Sequence, residues 1–111
     1  MTGRLELWLY FAQRLSAMVL APLVLIHLGT MVYAIQGGLT AGEILGRTAG
    51  SVFWMLFYGL FVVAAAVHGS IGLRNIVREM TSWRGRSLDM AAAGFGVVVL
   101  LLGMNAVRAV T

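Results

Sequence analysis

The sequence predicts an all-α integral membrane protein with three transmembrane helices, and three observations carry that prediction. Of the 111 residues, 60% are hydrophobic and 11% charged, with a mean hydropathy of +0.92; an ordinary water-soluble domain has about a quarter of its residues charged. Leu15–Ile35, Val52–Ile71 and Met90–Val107 each approach the roughly 20 apolar residues that cross a bilayer core. The four acids, Glu6, Glu43, Glu79 and Asp89, all lie near helix ends. The spans use more than half of the chain, which leaves too little for a soluble catalytic domain. The chain reads as one domain, residues 1–111, with helices at about 12–35, 51–79 and 89–108. Its chemistry belongs inside the membrane or on a partner.

Helix 1 follows Arg4 and Glu6 and is of full spanning length, with no small-x-small cleavage site soon after, so the start of the chain does not read as a cleaved signal. Pro22 removes one backbone donor and frees a carbonyl near Met18, so a local kink is expected. Gln36–Gly42 is a glycine-rich turn. Helix 2 runs from Ser51 into the arginine-bearing segment Arg74–Glu79. Thr81–Ser87 connects it to helix 3, with Trp83 as an interfacial anchor. Ser87-Leu-Asp89 reads as a capping region for helix 3, and Asp89 suits its dipole. Glu43 and Asp89 read as solvated helix termini. Gly94-Phe-Gly96 lacks the third glycine of a dinucleotide fingerprint and lies within a span; Gly94, Gly96 and Gly103 instead mark close helix packing. Asn105 reads as a bond to a neighbouring helix. Tyr33, Trp54 and Tyr58 read as an aromatic belt.

All eight basic residues are arginines, for a net charge of +4. In a three-helix chain the N-terminus and the second connection share a side. That side holds Arg4, Arg14, Arg74, Arg78, Arg84 and Arg86, against Arg47 and Arg108 on the other. The excess predicts a cytoplasmic N-terminus in a bacterial-type inner (cytoplasmic) membrane. Arginines at helix ends serve topology, so no nucleic-acid partner is expected. Without cysteine, the chain supplies neither disulfides nor thiolate ligands to an iron–sulfur cluster.

Two histidines lie within the spans, where an ionisable ring is costly unless paired or bound. Imidazole is a common haem ligand and a member of proton relays. His68 shares its helix face with Ala64, Ala65, Ile71 and Gly72. Three of these are small, which suits either a shelf for a flat macrocycle or simple helix packing. Arg74 and Arg78 follow at about 9 to 15 Å along the axis, where haem propionates need cations; positive-inside topology accounts for them too. Around His27 stand Leu23, Val24, Thr30 and Met31, with no such shelf, and Thr30 is expected to hold the neutral ring. Measured along the helices, His27 and His68 differ in depth by roughly 10 Å or more. They cannot ligate one haem between them, so each would need a histidine from another chain.

These residues resemble the membrane-anchor cytochrome b subunits of succinate dehydrogenase and fumarate reductase (complex II). His68-x-x-x-Gly72-x-Arg74, with Glu79 trailing, is similar to the family's His-x-x-x-Gly-(Ile/Leu)-Arg haem segment. Gln13-Arg14-Leu-Ser16-Ala17 is similar to the Arg-x-(Ser/Thr)-(Gly/Ala) start of its first helix. Asn75 stands where some relatives carry a second histidine, and helix 3 has no signature. The resemblance implies a three-helix portion of a haem-binding bundle shared with a second membrane-anchor subunit. It implies His68 as axial ligand of a haem b, and His27, 41 residues earlier (27 to 68), as ligand of a second in two-haem anchors. Arg74 and Arg78 would pair with propionates, while Arg14 and Ser16 would lie near a quinone site or a propionate. One or two haems b and a quinone substrate would thus meet this chain, with an iron–sulfur subunit, a flavoprotein subunit and membrane lipid as partners. Electrons from succinate would reach membrane quinone, and the chain alone would have no catalytic activity.

Two other classes fit part of the pattern. A small proton-coupled transporter would keep an acid inside a span, whereas none is found here. A non-catalytic assembly subunit would use both histidines structurally. Haem content separates either from an electron-carrying anchor, and the partner subunits would separate complex II from other respiratory enzymes.

Overall fold

The computed structural model describes residues 2–111. Four helices follow in order: α1 (Thr2–Gln36), α2 (Ala41–Thr48), α3 (Val52–Met80) and α4 (Arg86–Val110). The described residues contain no strand, and α1, α3 and α4 are long and apolar enough to span a membrane. The assembly measures 50 × 24 × 22 Å. Its long axis exceeds the ~30 Å hydrocarbon core, so both ends reach headgroup depth.

α3 is the central helix and packs antiparallel against both α1 and α4. Half of the buried residues of α3 and α4 are small, Ala64 and Ala66 on α3 and Ala92 and Gly96 on α4, beside Ile71, Arg74, Leu88 and Val107. Small side chains let backbones approach, which supplies the van der Waals contact that drives helix association in lipid. A Cβ on Gly96 would stand 3.0 Å from Ser70 Cβ, and one on Gly103 would collide with Val62. Those two glycines do mark close packing. Gly94 does not, since its missing side chain would point into open space. Outward-facing side chains are large and apolar, among them Trp8, Phe11, Leu15, Met18, Leu25 and Ile35. No water-soluble monomer tolerates such a surface, whereas acyl chains and partner helices cover it readily.

Several boundaries differ from expectation for identifiable reasons. α1 begins near Thr2, not near residue 12, because Glu6 is tied to α3 by ion pairs that secure its first turns. It continues through Pro22 without a break. The segment after the glycine-rich turn forms α2, which the glycines at 42 and 46 disguised. Thr40 Oγ1 accepts from the Glu43 amide (3.2 Å) while Glu43 Oε1 accepts from the Thr40 amide (3.1 Å), a reciprocal capping box. Glu43 is therefore a cap and not merely a solvated terminus. The amide of Thr40, then its hydroxyl, hold the carboxyl below the ordinary range.

α2 closes one end of the bundle. Thr48 Oγ1 donates to the Val110 carbonyl at 2.6 Å, and the Gly50 amide donates to the Thr111 carbonyl at 3.0 Å. Carbonyls at the C-terminal end of α4, which have no partner within a helix, are satisfied this way. α4 starts at Arg86, after Gly85 at φ +94°, three residues before Asp89. Ser87 does not cap it; its Oγ accepts from Trp83 Nε1 at 2.7 Å. Asn105 bonds within its own helix, accepting from Arg108 at 3.2 Å, and not across helices.

Candidate cofactor site

The antiparallel register of α1 and α3 sets which α1 side chains meet each histidine. Ser16 stands opposite His68, with 3.5 Å between Ser16 Oγ and His68 Nδ1. Ser16 is only 6% exposed. Its hydroxyl donates to the Gln13 carbonyl at 3.0 Å, so what it turns toward His68 is a lone pair. The expected shelf beside His68 is mostly filled by the chain itself. Ala64 and Ile71 are buried in the bundle, and a Cβ on Gly72 would meet Gln13 Nε2 at 3.5 Å. Ala64 therefore serves helix packing, while half-buried Gly72 lies in ordinary contact with the Gln13 amide. Gln13 Oε1 is enclosed there without a hydrogen-bond partner.

Arg74, one and a half turns beyond His68, is 7% exposed and fully engaged. Its Nε donates to Asp89 Oδ1 at 2.6 Å and its Nη2 to Glu6 Oε1 at 2.6 Å. Arg78 Nη1 joins the same Glu6 oxygen at 3.0 Å. This knot ties α1, α3 and α4 together at the arginine-rich end. Asp89, expected as a solvated helix terminus, instead serves as one of its acids. Glu6 organises the cluster and was not singled out in the sequence. The signal available was its opposite charge to Arg74 and Arg78 at a matching level of an antiparallel neighbour. Arg14 stays exposed with its guanidinium 5.8 Å from the Tyr10 ring centroid. Together with Glu6, Gln13 and Asn75 it lines a cleft of ≈ 420 Å³.

His27 lies eleven residues beyond Ser16 on α1, about 16 Å further along the axis. The two imidazoles thus occupy different levels of the bundle. His27 packs edge-to-face against Tyr58 (centroids 5.8 Å, 90°) and Phe61 (5.5 Å, 79°) of α3. Its Nδ1 is enclosed and has no partner. The Thr30 hydroxyl does not hold the ring as expected, because it donates at 2.7 Å to the His27 backbone carbonyl. A cleft of ≈ 240 Å³ beside His27 is lined by Thr30, Tyr33, Trp54 and Tyr58, with Arg47 and Thr48 nearby. Tyr58 and Phe61, as the walls around His27, were not foreseen in that role.

Both rings are compatible with axial ligation of a haem b. His68 is a half-buried imidazole with an acceptor beside one nitrogen, the arrangement a metal-bound histidine needs at its second nitrogen. His27 has a buried nitrogen that nothing in the chain satisfies. Among the described residues no three histidine or acidic side chains gather into a metal-chelating set. The chain offers two isolated imidazoles at different levels of the bundle.

No curated protein and no solved structure matches the chain at a significant level. A family model described as the succinate dehydrogenase/fumarate reductase transmembrane subunit matches residues 1–105. That match takes in the first two spans, most of the third, both histidines and the whole arginine knot, and the chain belongs to the succinate dehydrogenase/fumarate reductase transmembrane subunit family.

Proposed function

We propose that this chain is a cytochrome b-type membrane anchor of a succinate:quinone oxidoreductase, holding haem b and linking an iron–sulfur subunit to membrane quinone. The observation that carries the reading is the contact of buried Ser16 with half-buried His68 inside a membrane-spanning bundle of this family. Haem, when bound, supplies one-electron transfer between iron–sulfur donor and quinone. His68 would hold a haem through a ring nitrogen, and His27 would hold a second in a two-haem form. A second membrane-anchor subunit would provide the opposing ligands, since His27 lies about 16 Å along the bundle from Ser16, the residue level with His68. A flavoprotein subunit oxidises succinate. The iron–sulfur subunit docks on the arginine-rich end, which faces the cytoplasm by the charge excess.

Arg74, Arg78, Arg14 and Ser16 remain the candidate cofactor-binding residues at that end. Arg74 is committed to Glu6 and Asp89, so a propionate near it would share the knot and not take a free guanidinium. The cleft between Tyr10, Gln13, Arg14 and Asn75 is the favoured place for a quinone headgroup, with hydrogen-bonding side chains beside apolar helix surface. Glu79, exposed nearby, suits proton delivery to reduced quinone.

A second reading is favoured by two observations: the Gln13 amide lies against Gly72 and aromatic rings pack on His27, as in an assembly subunit whose histidines only pack. Reduced-minus-oxidised spectra of the complex purified through this chain separate the two. The haem-carrying reading expects one or two haems b per flavin, with one lost in His68→Ala and any second lost in His27→Ala. Absence of haem would refute it and leave the packing role.

A further inference from the structure

We propose that Ser16 is a positioning residue for His68, fixing the ring's tautomer and tuning the iron it ligates. The inference rests on His68 being an axial haem ligand and deepens that reading. A hydroxyl has one proton, and Ser16 gives it to the Gln13 carbonyl at 3.0 Å, one turn back on its own helix. Only oxygen lone pairs remain for His68 Nδ1 at 3.5 Å. The favourable arrangement therefore has the proton on Nδ1 pointing at Ser16, which leaves the Nε2 lone pair free for iron.

Burial sharpens the effect. Ser16 is 6% exposed, so water does not readily replace its oxygen, and a low dielectric strengthens what interaction there is. Ligating histidines usually donate their second N–H to an acceptor, which orients the ring and raises its basicity. A more basic imidazole favours ferric over ferrous iron, so this contact holds the reduction potential down. The separation exceeds the about 2.7–3.2 Å of a strong N–H···O bond, so the influence is a graded one. The backbone carbonyl behind the serine fixes the direction of the hydroxyl proton, which makes Ser16 an acceptor toward His68 by construction.

The test is potentiometric titration, with low-spin ferric electron paramagnetic resonance, of the complex purified through this chain. Ser16→Ala keeps the helix, since alanine is the best helix former, but removes the acceptor. Its haem is expected to titrate at a higher potential, with altered g-values. A tenfold change in the ferric-to-ferrous affinity ratio would read as about 59 mV, and the long contact puts the expected shift below that. Ser16→Thr keeps a hydroxyl able to bond the carbonyl one turn back and is expected to restore the potential. An unchanged potential and spectrum in Ser16→Ala, in a complex whose haem disappears with His68→Ala, would overturn the positioning role while leaving the ligand role standing. Failure of Ser16→Thr to restore a shifted potential would also overturn it. Full haem retention in His68→Ala would overturn the ligand reading itself.

Discussion

The arginine knot yields the sharpest stability prediction, because its members differ in burial. Arg74 has a side chain only 9% exposed, against 42% for Glu6 and 36% for Asp89. Replacing Arg74 by Met keeps the apolar stem, frees Asp89 and leaves Glu6 to Arg78, and water can reach both acids. The loss is then two charge-assisted bonds, about 1.5–3 kcal/mol each in a shielded site. Exposure of both acids cuts that heavily, leaving a net cost of about 2 kcal/mol. The double variant Glu6→Gln with Asp89→Asn does the reverse and strands a buried guanidinium without a countercharge. Removing the partners of a buried charge costs about 3–5 kcal/mol. The double variant should therefore be the less stable of the two, although it changes the more exposed side chains. Thermal unfolding of the purified complex in lipid nanodiscs, followed by helical circular dichroism, ranks them. Equal midpoints, or a lower midpoint for Arg74→Met, would refute the view that burial of the guanidinium dominates.

Three further outcomes are expected. Gly103→Leu collides with Val62 and should destabilise by at least about 1–3 kcal/mol, whereas Gly94→Ala faces open space and should be neutral or stabilising by about 0.5–1 kcal/mol; melting temperatures of the two variants in the same lipid check this. Glu43 has a lowered carboxyl pKa, so its cap contributes fully above the unfolded-state value and is lost as pH falls through the folded one. Amide exchange at Ile44 and Leu45, corrected for intrinsic rates, should accelerate below the ordinary carboxylate range, and Glu43→Gln should remove that pH dependence. The chain lacks cysteine, so Gly38→Cys and Arg84→Cys each present a single thiol. An impermeant maleimide applied to intact cells should label the first alone, and labelling of the second would reverse the orientation inferred from the arginines.

Much of the architecture was legible in composition because the bilayer imposes a local requirement. Any stretch that crosses must be apolar over a spanning length and satisfy its own backbone, so the three spans could be drawn, although the start of α1 and the helix in the first connection could not. The histidines stood out for the same reason, as ionisable rings amid apolar neighbours. Even the capping box of α2 was written locally, in Thr40 and Glu43, although its glycines argued for a loop. The remaining features depend on register between helices, which local pattern does not encode. Whether Arg74 meets a propionate or Glu6 and Asp89, whether Gly72 opens a shelf or receives Gln13, and whether Thr30 reaches the His27 ring or its carbonyl follow from how α1 and α4 slide and rotate against α3. A polar side chain in an apolar span advertises that it needs a partner, and only the packed bundle decides which one it finds. For this chain the sequence alone determined the membrane spans and marked the two histidines inside them as candidate ligands. The tertiary structure decided that Ser16 answers His68 and that Arg74 is held by two acids, because hydrogen bonds and ion pairs are satisfied by proximity in space.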